Sequence, residues 1–356
     1  MLLGHEKVPF LYLPTPLEHL ENMSKDLGIN LYIKRDDLTP LAMGGNKLRK
    51  LEYLLADAKK KGATMLLTVG GAQTNHGRLT LAVARKYGLK GAIVCIDEYP
   101  GELSANLLLD GMMGCDVWLR KEDPTGQKSE SQLFDETVAE VTARYEARGE
   151  KVYFIPIGGS NELGILGYYE CAMELAKQAG EMGLINGTNP KNFPRIVSTV
   201  GSMGTYMGLF TGILMEDLPL RLTGIGISPK APSLNAYAKK YFDRVCSFFH
   251  LDEEKTGHVT ESSFDLTDKY DRGAYNNPCK EVREAMYRMA EREALILDPC
   301  YTGKCFAGLE EMVANGEIEK GETVIFLHTG GAPGINTPFH RIEIEKEREK
   351  FIHILD

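Results

Sequence analysis

The chain lacks several things whose absence limits what it can do. It has one tryptophan, and no stretch approaches the roughly twenty consecutive apolar residues of a membrane-spanning helix. Met1 to Phe10 contains Glu6 and Lys7 and no apolar segment, so neither a signal peptide nor a bilayer span is expected. Basic excess is missing: 41 Lys and Arg stand against 50 Asp and Glu, a net charge of −9. That excludes the broad basic face of a nucleic-acid binder and leaves room only for a local patch suited to a small anion. The seven cysteines (Cys95, Cys115, Cys171, Cys246, Cys279, Cys300, Cys305) are scattered with no C-x-x-C pair. Neither a disulfide framework nor a zinc site, nor any other metal centre, is expected, and a reduced cytoplasmic setting fits. There is no internal repeat and no low-complexity tract.

What is present describes an ordinary globular chain. Its 356 residues, 43% hydrophobic and 26% charged, are enough for two domains with sizeable cores. From residue 46 onward, helix-like and strand-like segments alternate. Asn46 is placed to cap a helix whose Leu48, Leu51, Leu54, Leu55 and Ala58 share one face, with Gly62 as its stop. Strands are predicted at 65–69, 92–96, 117–119 and 152–155, separated by helices at 77–87, 104–113 and 131–148. The stretch 180–194 reads as a surface connection. A second series follows: strand 196–200, helix 204–215, strand 222–227, an irregular region at 229–280, helices 278–292 and 306–314, and strand 323–327. Repeated β-α-β units imply an α/β fold with parallel-rich sheets flanked by helices. In such sheets ligands sit beyond the carboxyl ends of the strands.

Glycine pairs mark those ends: Gly44-Gly45, Gly70-Gly71, Gly158-Gly159 and Gly330-Gly331. The loop Val200-Gly201-Ser202-Met203-Gly204-Thr205 follows a strand and opens a helix. Small residues there let backbone N–H groups approach an anion, and the helix dipole favours negative charge. A plain tight turn is the alternative. No lysine stands where a Walker A loop needs one, and there is no clean G-x-G-x-x-G.

Lys47 lies behind Gly44-Gly45 at a helix start. A lone lysine is ordinarily a solvated charge. At a helix N-terminus the dipole disfavours the cation, which gives this amine a reason to lose its proton and act as a nucleophile or Schiff base. Thr74-Asn75-His76 crowds a hydroxyl, an amide and an imidazole at the end of a buried strand. Such groups line a site or cap the next helix; Asn75 as a simple N-cap is the alternative to a role in the site.

In order along most of the chain stand Leu13–Leu17 (Leu-Pro-Thr-Pro-Leu), Ile33–Asp37 (Ile-Lys-Arg-Asp-Asp), Gly44–Glu52, Gln73–His76, Pro156–Ser160, Asp298–Lys304 (Asp-Pro-Cys-Tyr-Thr-Gly-Lys) and His328–Pro333. This series resembles the pyridoxal-phosphate (PLP) enzymes of the tryptophan-synthase β fold, fold type II. Within them it resembles the branch of D-cysteine desulfhydrase and aminocyclopropanecarboxylate deaminase. The resemblance implies a two-lobed chain, with 52–163 as a small lobe inserted into a large one made of 1–51 and 164–356. It implies pyridoxal 5'-phosphate carried on Lys47 in the cleft and, usually, a homodimer. Asn75 would hydrogen-bond the cofactor's phenolic oxygen, and Val200, Gly201, Ser202, Met203, Gly204 and Thr205 would hold its phosphate. Thr74, Asn75, His76 and Gly159 would receive the substrate, with Thr74 and His76 toward its carboxylate. Tyr275 and Tyr301 would stand near its reacting end, and Thr302 near the pyridine nitrogen.

Ring-opening deaminases of the branch carry Glu where this chain has Thr302. A neutral hydroxyl makes the ring a weaker electron sink, sufficient to expel a good β-leaving group. The resemblance therefore implies a lyase acting on a small amino acid, D-cysteine first, giving pyruvate, ammonia and sulfide. Cysteate sulfo-lyase, cyclopropane-ring deaminase and a PLP-binding protein without turnover are the alternatives. Two positions depart from the family pattern: Thr74 replaces the usual Ser, and the residues around Tyr275 (Gly273–Pro278) differ from Gly-Tyr-Gly-x-Pro.

Overall fold

A computed structural model describes residues 1–230 and 232–355. The chain opens with strand β1 (Leu17–His19), helix α1 (Glu21–Leu27), strand β2 (Asn30–Arg35) and helix α2 (Lys47–Lys60). An alternating stretch follows: β3 (Met65–Gly70), α3 (Asn75–Lys86), β4 (Lys90–Ile96), α4 (Ala105–Met112), β5 (Asp116–Arg120), α5 (Glu130–Glu146) and β6 (Val152–Ile155). The next elements are α6 (Leu166–Glu181), β7 (Arg195–Val200), α7 (Gly204–Met215), β8 (Arg221–Gly226), α8 (Leu234–Phe249) and the single turn α9 (Glu253–Thr256). The chain closes with β9 (Leu266–Thr267), α10 (Lys280–Glu293), α11 (Thr302–Ala314), β10 (Thr323–His328) and α12 (Pro338–Arg348).

The strands form two sheets. One has six strands in the order β1-β2-β10-β7-β8-β9 and the other four in the order β5-β4-β3-β6. Among the strands of the described residues only the β1–β2 pairing is antiparallel. Parallel strands covered by helices on both faces need apolar runs rather than alternation. Met65-Leu66-Leu67 in β3 and Val324–Leu327 in β10 are such runs, and all are buried. We propose 52–163 as the inserted lobe and 1–51 with 164–356 as the larger one; the division of the strands into two sheets supports this. Among the described residues no helix is long and apolar enough to cross a membrane.

Three departures from the sequence-based expectations bear on the site. Helix α6 occupies a stretch for which no element is predicted, because Gly167 and Gly180 weaken its local signal. It is held by close packing instead. A Cβ on Gly208 of α7 would lie 2.4 Å from the Ile165 carbonyl, and one on Gly167 would lie 2.3 Å from the Arg49 carbonyl of α2. Helix α6 is thus wedged between α2 and α7, whose starts carry Lys47 and the glycine loop. Second, α11 begins at Thr302, four residues earlier than expected. Third, Thr74 and not Asn75 caps α3, its Oγ1 accepting from the Gly77 N–H at 3.3 Å. Asn46 sits at the cap position of α2 but makes no capping bond there.

A buried ionic cluster fixes α2 to β2 and α6. The Arg49 guanidinium, 1% exposed, donates to both Asp36 oxygens at 2.8 and 2.9 Å and to both Glu174 oxygens at 3.0 Å. Lys34, also fully buried, donates to the Thr15 carbonyl at 2.7 Å and pairs with Glu174. Burial works to raise the Asp36 pKa, but the Arg49 charge and hydrogen bonds, the Lys34 charge and the Tyr168 hydroxyl together outweigh it and hold the carboxyl below its usual range. Such clusters add modest net stability and strong registry. Here the registry fixed is that of the helix that starts at Lys47.

Candidate active site

The backbone entering α2 is unusual. Ala42, Met43, Gly44 and Gly45 all have positive φ, at 43°, 65°, 67° and 137°. Left-handed geometry strains the two non-glycine residues. Gly44 has no substitute, since a Cβ there would stand 2.0 Å from the Asp37 carbonyl. The buried Arg78 guanidinium holds this turn, donating to the Gly44 carbonyl at 3.2 Å and to the Ala42 carbonyl. The turn delivers Lys47 as the first residue of α2, half-buried, with its Nζ donating to Asn46 Oδ1 at 2.9 Å. Burial lowers the Lys47 pKa to about 8, against the opposing charge of Asp298. Asn46 in turn donates from Nδ2 to Thr205 Oγ1 at 2.9 Å. One residue therefore joins the lysine to the β7–α7 loop.

That loop is built to admit an anion. Met203 turns it with φ 69°, and Gly204 opens α7. A Cβ on Gly204 would lie 2.4 Å from Ser160 Oγ and 2.9 Å from Lys50 Nζ. The Ser160 and Ser202 hydroxyls are 2.7 Å apart. Lys50, 1% exposed, donates to the Gly158 carbonyl and to Ser160 Oγ, both at 3.1 Å, and has no carboxylate partner among the described residues. Burial first, and the Lys47 charge second, push its pKa well below that of an ordinary lysine. A buried cation beside backbone N–H groups and hydroxyls is the chemistry a phosphate dianion satisfies. Lys50 is a functional candidate that the sequence reading missed. Its spacing of three from Lys47, which puts both on one helix face, was the available signal.

The β3–α3 junction supplies the polar groups. Thr68 Oγ1 donates to the Ile155 carbonyl at 2.8 Å and so accepts from His76 Nε2 at 2.6 Å. The His76 Nδ1 is then a bare acceptor, and it is buried without a partner. Burial, followed by the Lys47 and Lys50 charges, drives the ring well below its usual pKa, so it is neutral. Gly159 lies against it: a Cβ there would sit 3.7 Å from His76 Cε1. Thr74 is buried and its oxygen is engaged in the cap, which leaves its hydrogen free to donate. Asn75 is partly exposed at the first position of α3.

The last group comes from the start of α11. Asp298, 1% exposed, accepts from the N–H groups of Cys300, Tyr301 and Thr302 at 2.9, 2.9 and 2.7 Å, and from the Thr302 hydroxyl at 2.7 Å. The buried Thr302 thus has a carboxylate directly behind it. Tyr301 reaches the glycine loop, since a Cβ on Gly201 would lie 3.6 Å from its ring. The Tyr301 and Tyr275 hydroxyls are 2.5 Å apart, with the rings in an edge-on arrangement. Burial raises the Tyr301 phenol pKa, so it is neutral, and one hydroxyl of the pair donates to the other, leaving one hydrogen free. Lys304, fully buried, donates to the Ile227, Asp271 and Ala274 carbonyls at 2.8, 2.7 and 2.7 Å and ties down the turn that presents Tyr275.

Lys47, the 200–205 loop, Tyr301, Thr302 and Tyr275 are therefore connected directly or through Asn46 and Asp298. His76 and Gly159 border Lys50. Among the described residues no hydrogen bond links Thr74 or His76 to Lys47. A lysine with a depressed pKa, joined through one residue to an anion cradle, fits PLP. Lys47 offers the amine, Lys50 and the loop suit a phosphate, and Asn75 suits a phenolic oxygen.

Fold and site together define an α/β protein with a lysine suited to hold an anionic cofactor. The model of the pyridoxal-phosphate dependent enzyme family matches residues 8–330, and the chain belongs to that family. It is 38% identical over 329 residues, 92% of this chain and 97% of the other, to a Thermotoga maritima protein with the provisional name 1-aminocyclopropane-1-carboxylate deaminase. It is 38% identical over 331 residues, 90% of this chain and 92% of the other, to the D-cysteine desulfhydrase of Serratia proteamaculans. A solved structure titled as an ACC deaminase homologue superposes with TM-score 0.82 at 33% identity, covering 96% of this chain and 97% of that one. The fold is PLP fold type II, the cofactor is PLP, and the chain is an enzyme of the D-cysteine desulfhydrase and ACC deaminase group.

Proposed function

We propose that the chain is a carbon–sulfur lyase that converts D-cysteine and water to pyruvate, ammonia and sulfide. The observation that carries this reading is Thr302, a neutral hydroxyl bonded to Asp298 where the ring-opening members of the group have Glu. Bound PLP supplies an electron sink for negative charge at the substrate α-carbon. Lys47 would hold the cofactor, and its amine would be the base that takes the substrate α-proton. The low pKa suits that work, because an amine near 8 is partly unprotonated at neutral pH. The 200–205 loop and Lys50 anchor the phosphate, and Asn75 donates to the phenolic oxygen. The Thr74 hydroxyl and the Asn75 and His76 backbone N–H groups at the start of α3 receive the substrate carboxylate. The His76 ring contributes an acceptor there, because a neutral imidazole with its Nε2 hydrogen spent on Thr68 cannot donate to a carboxylate. In the Tyr275–Tyr301 pair, the hydroxyl whose hydrogen is not spent on its neighbour donates to the departing sulfur. The D-cysteine desulfhydrase name of the Serratia relative supports the same substrate.

The carboxylate behind Thr302 favours one second reading, cyclopropane-ring deamination, because it brings negative charge within one hydrogen bond of the position that Glu occupies in those enzymes. We also infer a pair of identical chains and a cytoplasmic setting, as the resemblance implies; sedimentation of the purified chain measures the first. The substrate is tested by a panel of D- and L-cysteine, cysteate, D-serine, β-chloroalanine and the cyclopropane amino acid, scored for pyruvate and 2-oxobutyrate. D-Cysteine gives the highest kcat/KM, and Lys47→Ala abolishes turnover. Undiminished turnover in that variant, or 2-oxobutyrate as the main product, contradicts the proposal.

A further inference from the structure

A side-chain amide has a donor end and an acceptor end, and only one of them suits a phenolic oxygen that carries negative charge. We propose that Arg78 and Asn106 are positioning residues that hold the Asn75 amide with its N–H toward the cofactor. The inference rests on the reading that Asn75 contacts the cofactor.

The orientation follows from groups that play one role each. A guanidinium only donates. Arg78 Nε donates to Asn106 at 2.7 Å, so the Asn106 atom facing it is the carbonyl oxygen. The other end of Asn106 is therefore its NH2 group. A second constraint agrees: that end lies 2.7 Å from the Gln73 carbonyl, which only accepts. The same nitrogen lies 3.0 Å from Asn75, so Asn75 presents its oxygen to Asn106. Its Nδ2 is left as the free end, without a partner among the described residues. Arg78 and Asn106 are both fully buried, which leaves the Asn106 amide no solvent alternative to these partners. The assembly is closed by Asn106 N–H donating to Gln73 Oε1 at 2.9 Å and by Gln73 Nε2 donating to the Ser104 carbonyl at 3.2 Å. The same guanidinium grips the Ala42 and Gly44 carbonyls on the approach to Lys47. One side chain thus sets both the loop that carries the cofactor's lysine and the amide that contacts its ring.

The variant that inverts the logic is Asn106→Asp. A carboxylate still accepts from Arg78 Nε, but its second oxygen cannot donate. Asn75 then turns its NH2 group to the carboxylate and its carbonyl to the cofactor. The readout is the pH midpoint of the holoenzyme's visible absorption, measured in wild type, Asn75→Ala, Asn106→Asp and the double variant. An N–H donor favours the more negative form of the cofactor, so losing it raises the midpoint. A shift of about one pH unit matches one charge-assisted hydrogen bond. We expect both single variants to raise the midpoint and most of the Asn106→Asp shift to vanish in the Asn75→Ala background. A shift of equal size in both backgrounds reports only the added charge and overturns the proposal, as does no shift at all in Asn106→Asp. No shift in Asn75→Ala alone removes the contact between Asn75 and the cofactor, and the proposal with it. If Asn106→Asp does not fold, Asn106→Ala takes its place in the same cycle. It adds no charge, and its smaller shift must disappear without Asn75.

Discussion

Replacing Lys50 with Met should have opposite effects on the cofactor-free and cofactor-loaded chain. In the chain without cofactor, Lys50 is a fully buried cation whose partners are a carbonyl and a hydroxyl, with Lys47 as a like charge nearby. Burial depresses its pKa in the fold relative to the unfolded chain. The unfolded state therefore binds more protons between the two pKa values; the group opposes folding fully below them, and that cost fades as pH rises toward the unfolded value. Methionine fills similar volume without that cost. Against it stands the loss of two hydrogen bonds of 3.1 Å, roughly 1 kcal/mol each. The cofactor-free variant should thus be as stable as wild type or up to about 2 kcal/mol more stable. The phosphate meanwhile loses a charge-assisted bond worth about 1.5–3 kcal/mol, which raises the Kd for PLP roughly 10- to 150-fold. Thermal melts with and without cofactor, together with an absorbance titration by PLP, read both quantities. An affinity within twofold of wild type refutes the reasoning. So does a cofactor-free variant destabilised by more than about 2 kcal/mol, which would make Lys50 a structural residue.

Three further outcomes follow from the same geometry. Arg49→Met leaves Asp36 and Glu174 without their shared cation, and denaturant unfolding should show a loss of about 3–5 kcal/mol; a loss under 1 kcal/mol contradicts the cluster's role. In the cofactor-free chain the Lys47 amine should react with aldehydes faster as pH rises, reach half its maximal rate near pH 8 and level off above that, because burial has lowered its pKa to about 8. Rates that keep climbing to pH 10 would mark an ordinary lysine. Thr302→Glu places a second carboxylate within hydrogen-bond reach of Asp298, so one of the two must take up a proton. The exchange alone should therefore lower D-cysteine turnover without creating ring-opening activity, and 2-oxobutyrate from the cyclopropane amino acid would refute this.

Much of the fold was legible because its strongest signals are local. Strand β6 and helix α7 coincide with their predicted limits, 152–155 and 204–215, where apolar runs end at glycine turns. Helix α6 was not legible, because its Gly167 and the Gly208 of α7 serve close contacts with neighbouring backbone that only the folded chain supplies. The same division holds at the site. A helix start behind two glycines marks Lys47 as special from sequence. Nothing local marks Arg78 or Asn106, 28 residues apart, as joined to each other and through them to Asn75. Asn75 and Thr74 were exchanged as cap because both residue types cap well. The extended backbone of Thr74, with ψ 121°, decided between them. Asp298 was visible only as part of a motif, and its role as acceptor for three consecutive N–H groups belongs to the turn into α11.

The central claim is that the cofactor is carried on Lys47, and borohydride reduction of the holoenzyme followed by peptide mass analysis tests it most directly. The account predicts loss of the visible band and a single pyridoxyl adduct on Lys47. An adduct on Lys50 or on any other lysine, or reduction that leaves the cofactor free to dialyse away, would contradict it.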